Sequence, residues 1–134
     1  MAMYLGTSIN ESPTIVLPAG VKLEDARGIA LAISSGKLVK PTAGTNVIGL
    51  SVIETEEIVE AGFDVDIQIK DIGTWIAGEE ITMGTELATD ADGRAVAAKS
   101  GDFVVGVALS SAKKAGTWIK VQIIKAGYKP AASV

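Results

Sequence analysis

The sequence predicts an all-β fold, a small barrel or sandwich built from two related β units behind an extended N-terminal arm. Three observations carry that expectation. The chain nearly repeats itself, reading GKLVKPTAGTNVIGLSV over 36–52 and GRAVAAKSGDFVVGVAL over 93–109. Hydrophobic residues make up 48% of the 134 residues and aromatics only 4%. The apolar content is therefore aliphatic, and small β-branched side chains pack well on pleated sheets. Apolar residues also come in short continuous runs or at every second position, the spacings of buried and half-buried strands.

The two seventeen-residue segments align without a gap, with identities at Gly36/Gly93, Val39/Val96, Gly44/Gly101, Val47/Val104 and Gly49/Gly106. Ordinary Gly and Val usage would give roughly one or two. Lys37/Arg94, Ile48/Val105, Leu50/Val107 and Ser51/Ala108 are conservative pairs. Downstream, a three-residue shift brings GFDVDIQI (62–69) onto GTWIKVQI (116–123). Upstream, Ala19-Gly20 falls opposite Ala77-Gly78 and Leu23 opposite Ile81. The units are thus 19–69 and 77–123, within one domain spanning 19–124. Residues 1–18 form the arm and 125–134 a C-terminal tail.

Each element has its own signal. Segment 23–27 could make one short helical turn. Ser35-Gly36 is a hairpin dipeptide between arms at 29–33 and 37–40, and Asp92-Gly93 plays that part between 86–89 and 94–98. The runs VIGLSV (47–52) and VVGVAL (104–109) imply strands buried on both faces. Gly49 and Gly106 inside them mark a bulge or a close backbone approach. Segment 54–60 could supply a second helical turn. The last strand of each unit alternates: Val65, Ile67 and Ile69 inward against Asp64, Asp66, Gln68 and Lys70, then Ile119, Val121 and Ile123 inward against Trp118, Lys120 and Gln122. Strand order does not follow from these signals.

Composition narrows the function classes. The formal net charge is −4, and Arg27 and Arg94 are the only arginines. An Arg-rich basic patch is the footprint of nucleic-acid binders, so no nucleic-acid partner is expected. The chain has no Cys and no His. That removes the thiolate nucleophile, the commonest general base and the commonest metal ligand together. No stretch approaches a transmembrane length, and the N-terminus lacks the basic and apolar regions of a signal peptide. A soluble protein with no membrane partner is expected. Surplus aliphatic surface points to burial against other subunits.

Candidate chemistry is thin. ATDADGR (88–94) has two of the aspartates of a calcium loop but neither the full ligand ladder nor flanking helices, so a hairpin turn fits better. Lipoyl and biotinyl carriers also present a tight turn on a duplicated β structure, but the tip here is Asp92-Gly93-Arg94 and lacks their lysine. Residues 54–66 hold six carboxylates and no basic side chain, which reads as a solvated acidic face or a patch for a basic partner. Ser110-Ser111 with Lys113-Lys114 has the composition of a Ser/Lys nucleophile without a framework to hold it. No enzyme, cofactor or metal site is predicted. Trp118 is expected to face outward, as interface tryptophans do, unless its own chain covers it. Trp75, in the connector DIGTWIAG, has no clear facing.

The succession PAG (18–20), IGLSV (48–52), AGFDVDIQI (61–69), GTELATDADGRAVAA (84–98), VVGVAL (104–109) and AGTWIKVQI (115–123) resembles the small capsid decoration proteins of tailed phages, also called head-stabilising or cement proteins. The likeness covers about residues 14–124 and rests on Gly, Ala and Val. It implies a non-enzymatic virion protein on the outer capsid surface. Such a protein assembles as a homo-oligomer, often a trimer, and clamps neighbouring major capsid protein subunits of the expanded head. The resemblance gives the arm part of that grip, through Tyr4, Leu5 and Ile9, with Trp75 and Trp118 as further partner-contact candidates. The acidic insert at 54–60 and the tail at 126–134 depart from the pattern. Another β-rich virion module, from a tail or baseplate, is the alternative.

Overall fold

Turn glycines and alternating aliphatics give twelve strands and no helix among residues 12–131, which the computed structural model describes. In chain order they are β1 (Thr14–Pro18), β2 (Leu23–Glu24), β3 (Ala30–Ser34), β4 (Lys37–Val39), β5 (Gly49–Ser51) and β6 (Ile58–Val59). Then follow β7 (Asp64–Gln68), β8 (Asp71–Ile76), β9 (Glu86–Thr89), β10 (Ala95–Ala97), β11 (Phe103–Ala108) and β12 (Trp118–Tyr128). One five-stranded sheet runs β1-β7-β5-β3-β4 and the other β8-β12-β11-β9-β10, the same order built twice. All strand pairings are antiparallel, and the layers form a sandwich-like fold rather than a closed barrel.

The repeat read from sequence is a repeat of hydrogen bonding. Leu50 and Ser51 pair with Gln68 and Ile67, and their counterparts Val107 and Ala108 pair with Gln122 and Val121. Ala19 N donates to Phe63 O and Ala77 N to Thr117 O, both at 2.8 Å. Single parallel bridges, Ala19 to Leu38 and Ala77 to Ala95, bring the two edges of each sheet together at one point. The ladder does not continue from those bridges, which leaves each sheet curled and open.

Gly49 and Gly106 explain why these positions match. A Cβ on Gly49 would run into the Gln68 carbonyl, and one on Gly106 into the Gln122 carbonyl. Each glycine lets a central strand press against its neighbour's backbone, the close approach expected of a glycine inside a strand. A register shift between Val104 and Gly106 adds a bulge at the second site.

Three boundaries differ from the sequence reading. Thr14–Pro18, assigned to the arm, is the edge strand β1, pairing with β7 from Thr14↔Gln68 to Pro18↔Asp64. Residues 23–27 and 54–60 make no helical turns. Leu23 and Glu24 pair with Val59 and Ile58 as β2 and β6, because burying Leu23 and Val59 side by side outweighs weak local propensity. The assigned tail starts inside β12: past the bulge, Tyr128 pairs with Phe103 and stacks edge-on against it at 5.2 Å.

The core makes the two units one body. Ala30, Val47 and Leu50 of the first unit pack in one cluster with Leu87, Val105, Ile119 and Val121 of the second and with Trp75 of β8 between them. Leu23, Ile29, Leu31, Leu38, Val65 and Ile67 form the other cluster. Burying a side chain of this size contributes about 1.5–3 kcal/mol. Neither unit holds its whole apolar surface by itself.

Gly49→Ala should destabilise the fold by about 2–3 kcal/mol through overpacking against backbone. Gly36→Ala, where a Cβ would meet open space but φ is +76°, should cost about 1 kcal/mol for the left-handed conformation alone. Urea unfolding midpoints at unchanged slope measure both. Equal losses would contradict the close approach at Gly49.

Candidate partner-binding surface

The two units differ most where each central strand leaves the sheet. Residues 52–63 lead from β5 to β7 and residues 109–117 from β11 to β12, so the first connector is three residues longer. In the first, Thr55 N donates to Val52 O at 3.0 Å, Phe63 N to Glu60 O at 3.2 Å, and Gly62 N to Ala19 O at 2.8 Å. Those turns leave a groove of about 330 Å³ between the connector and β7. Val52, Ile58, Val59, Phe63 and Val65 supply its apolar walls, with Phe63 67% and Ile58 51% exposed. Glu54, Glu56, Glu60, Asp64 and Asp66 line it as well. Asp64 and Asp66 share the exposed face of β7, as strand alternation requires.

Among the described residues none of these five carboxylates lies within ion-pair distance of a lysine or arginine. Arg27 sits beside the connector, where its Nε donates to the Thr55 carbonyl at 2.9 Å. The Thr55 hydroxyl oxygen is sealed from solvent and, within the described structure, has no hydrogen-bond partner.

The second connector is built to be short. Ala112 pairs with Ile81 through two backbone hydrogen bonds of 2.9 Å. Ser111 Oγ accepts from Met83 N at 2.9 Å and Ser110 Oγ from Lys120 N at 3.0 Å. Both serine hydroxyls are thus engaged in shaping the turn. Lys113 and Lys114 stand exposed between them and β12.

The candidates named from sequence do not form one site. Trp75 is a correction: it is fully buried in the shared core, its Nε1 donating to the Gly93 carbonyl at 2.7 Å, so no partner can touch it in the folded chain. Trp118 does face outward, 45% exposed, and its six-membered ring lies over the α-carbon of Gly28. The described residues cover one side and leave the other open. Tyr4, Leu5 and Ile9 lie outside the described residues. In ATDADGR, Asp90 Oδ1 accepts from Asp92 N at 2.9 Å and Arg94 N at 2.8 Å, closing the hairpin as a side-chain-capped turn. Burial pulls the amine of Lys125, at the bulge in β12, below the ordinary lysine range.

Sequence reasoning missed Phe63 and Ile58. The available signal was the mismatch between copies: Phe63 aligns with Thr117, a large apolar residue where the repeat tolerates a small polar one.

Trp75→Ala should destabilise by about 3–5 kcal/mol, as large core truncations do. Trp118→Ala should cost about 1 kcal/mol, the ordinary cost of losing partial packing. Denaturant melts of both variants measure the contrast. A collapse of the Trp118 variant would place that ring in the core.

No protein-family model matches the chain, and no curated protein sequence does. A solved structure does: the crystal structure of the head fiber gp8.5 N base in bacteriophage phi29. The match has a TM-score of 0.64 at 21% identity, covering 87% of this chain and 97% of that one. The duplicated, curled-sheet sandwich is therefore a fold already found in a protein of a phage head.

Proposed function

We propose that this protein is a non-enzymatic component of a phage virion that binds the outer surface of the capsid. There it stabilises the expanded head by clamping neighbouring major capsid protein subunits, acting as a homo-oligomer, a trimer in the simplest arrangement. The observation that carries this reading is the fold-wide correspondence with the phi29 head fiber base over 97% of that chain. The repeat motifs support the same reading from the sequence side, where they resemble capsid decoration proteins. A binding role also suits the chemistry: a chain without His or Cys has few groups for catalysis at neutral pH, whereas it exposes Phe63, Trp118, Ile58 and Ile72. The structural neighbour favours a second reading too, in which the domain is the anchoring base of a surface fibre. Both place the domain on the head and differ in what stands upon it.

Mixing the purified protein with expanded heads assembled without it, and imaging them by electron microscopy, tests the proposal. Regularly placed density on the outer surface is the expected result, together with a higher temperature of head disruption. Bare heads at saturating protein would overturn it. Removing residues 1–11 should weaken head binding. It should leave the melting midpoint of the free protein within about 2 °C, since the twelve strands and both core clusters are built from residues 14–128.

A further inference from the structure

We propose that the acid-lined groove of the first unit receives the Lys113 and Lys114 loop of a second copy of this chain. This rests on the homo-oligomer reading above and names its contact. The groove is an apolar trough left unfilled by the described residues, among which Phe63 and Ile58 at its wall are exposed. Among the described residues every charged side chain lining it is a carboxylate. Its occupant must therefore bring cationic groups on a short apolar or small-residue stem.

The chain carries one segment of that description. Lys113 and Lys114 are its only adjacent pair of cationic residues, and they are flanked by Ala112 and Ala115. Both lysines are exposed, and among the described residues neither has an ion-pair partner. They sit in the connector equivalent to the acidic one, on the opposite sheet. Within one chain the two connectors make no ion pair with each other, so the complement of each is offered to another copy. Residues 1–11 are a poorer occupant, having apolar Tyr4, Leu5 and Ile9 but no lysine or arginine.

The geometry of such an assembly follows from symmetry. Groove and loop are different patches, so each contact leaves one groove and one loop to be satisfied. The set closes as a two-fold pair if two copies reach each other at once, as a ring if the head-to-tail rotation closes, and as an open filament if it does not. Opposite charges in close contact fix register and exclude like-charged alternatives. The connector that is three residues longer and acidic thus complements the one that is shorter and basic.

Sedimentation of the full chain provides the test. The wild-type protein is expected to form an oligomer. Lys113→Glu/Lys114→Glu and Glu56→Lys/Glu60→Lys should each weaken self-association at least about tenfold, with circular-dichroism melts unchanged. Equal mixtures of the two variants should regain association between unlike copies, where the reversed loop meets the reversed groove and the native loop the native groove. In a three-membered ring one like-charged contact remains, so recovery there is partial. An oligomer insensitive to both reversals would overturn this contact and leave the homo-oligomer reading standing. A wild-type monomer at every concentration would overturn both. If groove reversal abolishes binding to heads while self-association stays intact, the groove's occupant is a basic segment of the capsid and the self-contact is wrong.

Discussion

The Gly93 carbonyl joins the two halves of this protein. It accepts hydrogen bonds from Trp75 Nε1 and from Ala30 N, both at 2.7 Å. Gly93 has φ +82°, and a Cβ there would lie 2.6 Å from the Ala30 carbonyl oxygen. Only glycine permits both the turn and the approach. A fully buried indole N–H without a partner would cost about 1–3 kcal/mol, so the hairpin tip, the core tryptophan and strand β3 hold one another in place. A second backbone contact, Ile76 N to Gly28 O at 2.9 Å, lies under the ring of Trp118. The seam thus joins main-chain hydrogen bonds to the buried Trp75 side chain and to the core cluster that both units share.

That seam breaks the symmetry of the duplication. Gly36 is the counterpart of Gly93, with φ +76°, yet nothing stands near the place of its missing Cβ. One hairpin tip is spent on holding the halves together, and the other projects freely. The sheet edges show the opposite behaviour, because the Ala19–Leu38 and Ala77–Ala95 bridges treat both units alike. Short strands β4 and β10 and the curl of each sheet shield those edges, a common defence against edge-to-edge aggregation. The two sheets are equivalent in order, and the asymmetric tip adds to the shared core in holding them together.

Sequence reading reached the scaffold because the scaffold is where geometry leaves least choice. Gly49 and Gly106 are fixed by backbone contact, and the inward aliphatics of β7 and β12 by burial, so both copies display them. It failed where a residue's role depends on a distant partner. Thr14–Pro18 has no local sign of pairing, since its partner β7 lies some fifty residues away. The alignment did contain the missing information: carried upstream from Ala19-Gly20 and Ala77-Gly78, it sets LPAG (17–20) against WIAG (75–78). Leu17 and Trp75 are then equivalent, which makes β1 a strand and turns Trp75 inward. The short β2–β6 pair was unreadable for a different reason. Two residues per strand show no period, and the surrounding glutamates mimic a polar helix.

What the copies do not share is as informative as what they do. Selection on a packed core and a hydrogen-bond ladder keeps both units alike, because small changes there cost a large share of a marginal stability. The connectors at 52–63 and 109–117 are anchored by backbone bonds and by buried Val59 and Ala112, but most of their side chains face solvent and carry no such burden. There the units differ in length by three residues, in charge by four glutamates against two lysines, and in exposed surface by Phe63 against Thr117. Neutral drift on a solvated loop favours small polar residues and mixed charge. It does not account for a Phe 67% exposed beside a line of unpaired carboxylates. Exposed aromatic surface costs solubility unless something covers it, and like charges held together repel unless something neutralises them. Both costs fall away together when a cationic segment fills the groove. A surface that is unfavourable alone and favourable when occupied is one that binding to a partner would be expected to preserve.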